Sequence, residues 1–246
     1  MTLYSLWELL NFISGRYPNG QSITPARLNV LLPQVQHEYF FDRVNAGDYD
    51  ALQPFSKTMG DDSVPMTFSS GFADLPPDYY SGGTGYFMLG TEPRRVQFVN
   101  DRTYEYLLSH VDEHPTQKFP IGNIQANRVR MRPTDVNHVR FTYLTRPTDP
   151  VFDYAIDQDN PSRIVYMPAG SYLPSVGILK SSDGTTIETN VESQTGTYPY
   201  TSRTVELMWP EASQWKILYM LLIKVGVALA EGEAEKLGLM MTGGGK

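Results

Sequence analysis

The feature that most constrains this chain is a run near its C-terminus, Ile217 to Ala230, in which only Lys224 is charged. Pro210 suits the start of a helix, because the N–H it lacks has no partner in a first turn, and the apolar pattern continues to about Leu237. The helix is therefore expected over about 210–237 and apolar nearly all round. It is too short and too interrupted to span a bilayer, which takes about 20 apolar residues. Such a helix needs burial on several sides, in the centre of its own domain or between subunits. Leu218, Leu222 and Leu229 are the side chains expected to make that contact, either with other subunits or in an intramolecular core. The closing stretch after Thr242 (243–246), Gly-rich and ending on Lys246, reads as a flexible tail.

Upstream, Leu3, Leu6, Trp7, Leu10 and Ile13 fall at helical spacing, and Gly15 with Pro18-Asn19-Gly20 closes that segment. Thr24 before Pro25 opens a second helix whose apolar face continues through Leu28, Leu31, Leu32, Val35 and Tyr39. Arg27 stands where a capping box would place Glu. Pro33 inside this pattern removes the donor for the Asn29 carbonyl and predicts a kink or break there. From Asp50 to Asn100 short runs such as Tyr86–Leu89 and Val96–Val99 alternate with Pro and Gly, a β pattern. A third helix is expected over Asp101–His114, with Tyr104, Leu107, Leu108 and Val111 on one face and Pro115 as its stop. Strands follow over Asn127–Arg132 and His138–Leu144.

Residues 157–203 are rich in Ser, Thr, Gly and Pro and read as an inserted β arm. Its hairpin signal is Val176–Ser181, a turn at Asp183-Gly184, then Thr186–Val191. Its apolar set, Val176, Ile178, Ile187 and Val191, is thin, and an isolated two-stranded ribbon is marginal in water. The tip around Asp183 and Gly184 is therefore expected to dock on a neighbouring subunit; a solvated loop is the alternative. The fold class is α+β: helices from the N-terminus, middle and C-terminus packed with an antiparallel β region and a hairpin arm. Residues 1–242 are expected to form a single domain.

The absence of cysteine excludes disulfides, thiolate metal sites and a cysteine nucleophile. The first residues, Met1 to Glu8, lack the basic region and cleavage site of a secretory signal, so export by that route is not expected. A net charge of −7 disfavours sequence-independent duplex binding, which needs a basic face. The 16 Tyr, apolar in body and polar at the tip, suit protein interfaces. Arg128, Arg130 and Arg132 alternate with Val129 and Met131, which sets three guanidinium groups on one face of a strand. They line a DNA conduit or pair with the chain's own carboxylates, within or between subunits; the acidic net charge favours pairing.

Enzymatic patterns are weak. His110-Val-Asp-Glu113-His114 matches the H-x-x-E-H zinc pattern, but Pro115 ends the helix at once, and a His near a helix C-terminus has the simpler role of meeting its dipole. Ser81-Gly-Gly-Thr-Gly85 lacks the spacing of a phosphate loop, and Asp61-Asp62 and Asp157 with Asp159 lack calcium-loop periodicity. No catalytic, cofactor or metal residue is assigned. A carbohydrate-binding fibre or capsid decoration protein is a second class of function, with the Tyr-rich loops as its surface.

Several segments together resemble one family. They are Leu9-Leu10-Asn11-Phe12-Ile13, the turn from Gly20 to Thr24-Pro25, Leu75-Pro76-Pro77-Asp78-Tyr79-Tyr80, and Phe119-Pro120-Ile121 with Gly122-Asn123-Ile124-Gln125. Arg132-Pro133, the stretch Phe141 to Tyr154 through Arg146-Pro147 and Pro150-Val151-Phe152-Asp153, and Trp209-Pro210-Glu211 complete the set. In order and spacing they resemble the head–tail connector proteins of crAss-like tailed phages that infect Bacteroidetes. The likeness covers most of the chain outside 157–203. It implies a structural virion protein of the neck or tail, made in the bacterial host cytoplasm, with no catalytic residues, no cofactor and no membrane partner. The implied partners are its own copies in a dodecameric ring, the portal, other neck and tail ring proteins, and genomic DNA passing through the channel.

Overall fold

In the computed structural model, residues 1–15, 23–60, 65–157, 164–168, 178–181, 186–188 and 202–226 are described. The chain opens with α1 (Leu3–Ser14), capped by the Thr2 hydroxyl accepting from Ser5 N–H, with Leu3, Leu6, Leu9, Leu10 and Ile13 buried along one face. α2 (Pro25–Ala46) begins where Thr24 accepts from Arg27 N–H and ends at Gly47 in the left-handed conformation, φ 66°. Of the kink or break expected at Pro33, the break does not occur: α2 runs through it. A proline inside a helix costs about 3 kcal/mol. Against that, Leu28 and Leu32 before it and Val35, Tyr39 and Phe40 after it are all buried on one side, each contributing roughly 1.5–3 kcal/mol. A short α3 (Tyr49–Leu52) follows.

The β region then builds β1 (Ser56–Met59), β2 (Met66–Thr67), β3 (Phe72–Asp74), β4 (Tyr79–Leu89) and β5 (Glu92–Phe98). α4 (Asp101–Ser109) is capped by Asn100, whose side chain accepts from Thr103 N–H. It stops five residues short of the expected His114, because His110 is extended and Val111–Glu113 form a separate 3-10 turn. β6 (Ile121–Gln125), β7 (Arg128–Arg132) and β8 (His138–Thr145) complete an eight-stranded sheet ordered β1-β8-β4-β5-β6-β7-β3, with β2 also on β8. β5 and β6 pair in parallel because α4 lies in the crossover between them; the other pairs are antiparallel. Alternate residues Phe87, Val96, Val129, Met131, Val139 and Phe141 enter one core. Gly122 is glycine for a steric reason: a Cβ there would stand 2.8 Å from the Phe98 ring.

Beyond it, β9 (Tyr154–Asp157), β10 (Ile164–Tyr166), β11 (Ile178–Ser181) and β12 (Thr186–Glu188) form a second sheet ordered β10-β9-β11-β12. The expected hairpin is present in its strands, with Leu179 opposite Ile187. It is not an isolated ribbon, since β11 also pairs with β9, Lys180 opposite Ile156. One edge of the arm is thus satisfied within its own chain. The tip, including Asp183 and Gly184, lies outside the described residues.

The final described helix is α5 (Glu211–Lys224). It ends at Lys224: the Val225 N–H returns to the Leu221 and Leu222 carbonyls, and Gly226 takes φ 87°; the rest of the expected helix, to Leu237, lies outside the described residues. The fold is α+β. Its contacts divide it into two compact units, Met1–Pro54 with Pro147–Lys246, and Phe55–Arg146.

Candidate functional site

In the first unit α5 packs on α1 and α2. Leu218 and Leu222 are buried there with Ile217, Leu221, Ser213 and Gln214, a single stripe at helical spacing. α5 is therefore covered on one face and not all round, and Leu218 and Leu222 are core residues of their own chain with no surface left for another subunit. The apolar stripes of α1 and α2 supply the burial that the sequence alone could have assigned to a partner. Leu229 lies outside the described residues.

Surface apolar side chains sit elsewhere. On α2, Val30, Gln34, His37 and Phe41 follow the i, i+4, i+7, i+11 pattern on the side away from Leu28, Leu32 and Tyr39. Val30 is 60% exposed and Phe41 42%. His37 Nε2 lies 2.9 Å from Asp149, which fixes the ring in the middle of this stripe. On α5, Ile223 is 50% exposed, and Lys224 beside it pairs with Glu38 of α2 at 2.9 Å. The hydropathy pattern of α2 carried this signal, since Val30 and Phe41 fall outside its buried register.

The arginine strip in the second unit has the alternation expected: Val129 and Met131 enter the core, and Arg128, Arg130 and Arg132 take the other face of β7. Arg128 Nε donates to Asp74 at 2.9 Å across the β3–β7 pair. Arg130 donates to Glu105 at 2.6 Å and to Gln125 at 3.0 Å, and its guanidinium lies 4.7 Å from the Tyr104 ring centre of α4. The bond to Glu105 holds the Arg130 pKa above the ordinary guanidinium value, and burial pushes the Tyr104 phenol up. Arg132 Nη1 donates to the Met131 carbonyl and fills the space over Gly71, where a Cβ would meet it at 2.6 Å. Arg128 and Arg130 pair with carboxylates of their own unit. Lys and Arg equal Asp and Glu in number over residues 55–146, so the net charge of −7 rests on the other unit.

His110 and His114 do not lie one turn apart on a helix: His110 leaves α4, its Nδ1 2.9 Å from the Tyr106 carbonyl and its ring stacked on Tyr106 at 3.9 Å. Among the described residues no group of three or more His, Asp or Glu is placed to hold a metal ion. No helix among them is long and apolar enough to cross a membrane.

The residues that carry the family resemblance hold the fold. Asn11 clamps Ile23, its side chain accepting from the Ile23 N–H at 2.7 Å and donating to its carbonyl at 3.2 Å, which ties α1 to the turn before α2. Asn29 does the same for Phe152, accepting at 2.7 Å and donating at 2.9 Å. Asp78 accepts from Tyr143 at 2.9 Å and from Lys57 at 2.5 Å, and Arg146 lies over the Tyr80 ring. No protein-family model matches the chain, and no curated protein matches it.

Proposed function

We propose that the chain is a non-enzymatic structural subunit of a tailed-phage neck, packed laterally against its own copies in a ring between the portal and the tail. The observation that carries this reading is a pair of apolar side chains exposed on the helical layer of the first unit, Val30 of α2 and Ile223 of α5, on faces that its own core does not use. Two different faces meeting head to tail generate a ring when the rotation closes, and such a ring encloses a passage for DNA. The ordered set of motifs, dense in residues that clamp one segment to another, is the second support; its resemblance to phage connector proteins implies twelve-fold order. The pairing of Arg128 and Arg130 with Asp74 and Glu105 accords with a wall that does not grip the duplex.

Native mass spectrometry of necks released from virions tests this. About twelve copies per particle are expected for a closed ring matching a portal, and about three or fewer would refute it in favour of a fibre.

A further inference from the structure

In the second unit, the outer side of the β4–β8 pair opens into a groove of about 850 Å3, within the roughly 300–1,000 Å3 typical of small-molecule sites. Its floor follows from strand alternation. Phe87 and Val139 point into the core, so Tyr86 and Met88 of β4 and His138 and Arg140 of β8 point outward, with Tyr86 directly opposite Arg140. Tyr86 is 40% exposed and Met88 61%. Asp135 and Asn137, just before β8, form a wall, and Gln117 donates to the Asp135 carboxylate at 2.5 Å and so fixes its orientation.

The lining narrows the ligand class. A peptide strand has only a short edge to add to here, because β4 pairs with β8 as far as Tyr86 opposite Arg140 and only Phe87–Leu89 lie past that point. A polyanion calls for several cations, and here Arg140 stands with Asp135 in the same groove. A purely apolar ligand would cover the Asp135 and Asn137 side chains without replacing their water. What fits is a molecule with many hydroxyls, each donor and acceptor, on a ring whose C–H face can lie on an aromatic side chain. We propose that this groove binds an oligosaccharide, one sugar ring seated on Tyr86 and its hydroxyls held by Asp135 and Asn137. The site uses none of the α2 and α5 residues assigned to ring packing, so the two proposals stand or fall separately.

Titration of the full chain with cellohexaose, chitohexaose and maltohexaose, followed by calorimetry and saturation-transfer NMR, tests it. At least one is expected to bind with Kd of about 1 mM or tighter, with saturation transfer from the Tyr86 ring protons. Tyr86→Ala should weaken binding at least about tenfold, equivalent to 1.4 kcal/mol, and Asp135→Asn should also weaken it. Tyr86→Phe should retain it, and Ile223→Asp should leave it unchanged. No saturable binding by any of the three up to about 10 mM, a range in which weak specific sites still register, overturns the proposal, as does wild-type affinity in both Tyr86→Ala and Asp135→Asn.

Discussion

Replacing Leu222 with Asp separates the two faces of α5. Leu222 is 0% exposed, enclosed where α5 meets the other helices of its unit. Losing a buried Leu side chain costs about 2–5 kcal/mol through lost transfer energy and the cavity left behind. The incoming carboxylate adds a further penalty of about 3–5 kcal/mol for an uncompensated buried charge, unless it stays protonated. The total reaches or exceeds the lower part of the 5–15 kcal/mol that holds a typical domain, so the helical unit should be largely unfolded. Ile223→Asp, one residue along and half-exposed, should change stability by about 0.5 kcal/mol or less. Urea titration followed by far-UV circular dichroism measures both, with Leu222→Ala as the intermediate case. The outcome that refutes the packing argument is a wild-type midpoint for Leu222→Asp. Ile223→Asp should keep its midpoint and lose self-association, and unchanged ring assembly in that variant would remove α5 from the subunit contact.

Arg130→Gln should lower stability by about 1 kcal/mol, because it removes both the Glu105 bond and the contact over Tyr104, while Arg128→Gln, in an exposed pair with Asp74, should fall within about 0.5 kcal/mol of wild type. Urea midpoints decide this, and an Arg130→Gln chain of normal stability that lets DNA pass abnormally would place the strip on the conduit after all. Tyr143 gives a pH dependence: burial, with Asp78 beside it, pushes its phenol from 10.0 up to about 12. Below pH 10 its neutral form contributes in full. Between 10 and about 12 the unfolded chain releases the proton first, so stability declines across that window. The measurement is the difference from Tyr143→Phe, whose alkaline decline should be shallower; parallel curves for the two proteins would show that Tyr143 does not titrate as its burial implies.

Helix and strand positions were legible wherever a periodic apolar face met strong capping chemistry. Thr24-Pro25 opened α2, and the alternation Arg-Val-Arg-Met-Arg set β7 with its arginines outward. Boundaries failed where a local signal lost to a longer pattern. Pro33 predicts a kink or break because one missing hydrogen bond is visible in sequence, whereas the buried residues on both sides of it become neighbours only in the folded helical layer. At Gly226 the local signal wins: it takes φ 87° just past the end of α5, although the apolar pattern of the sequence continues after it. At His110 the competing cause was local, since its ring stacks on Tyr106 with Nδ1 at the Tyr106 carbonyl, and the chain leaves the helix.

Assigning a partner from sequence is harder, for a physical reason that α5 illustrates. Hydropathy reports how much of a helix prefers to leave water and is silent on which neighbour covers it. Leu222 and Ile223 are equivalent in composition, yet one is enclosed by its own chain and the other is half-exposed. α2 and α5 meet at Lys224 and Glu38, and that ion pair marks where the intramolecular layer stops, since two long charged side chains reach past the apolar seam to water. Ile223, next to it on α5, is left half-exposed. The same logic applies to the hairpin arm: β11 pairs with β9, so the demand for a partner that its sequence implied is met along one edge, and among the described strands β12 stands at the end of that sheet with its outer edge still to be covered. Substitutions that probe assembly therefore belong at positions exposed in the single chain, and the leucines that made the helix conspicuous in sequence report on folding instead.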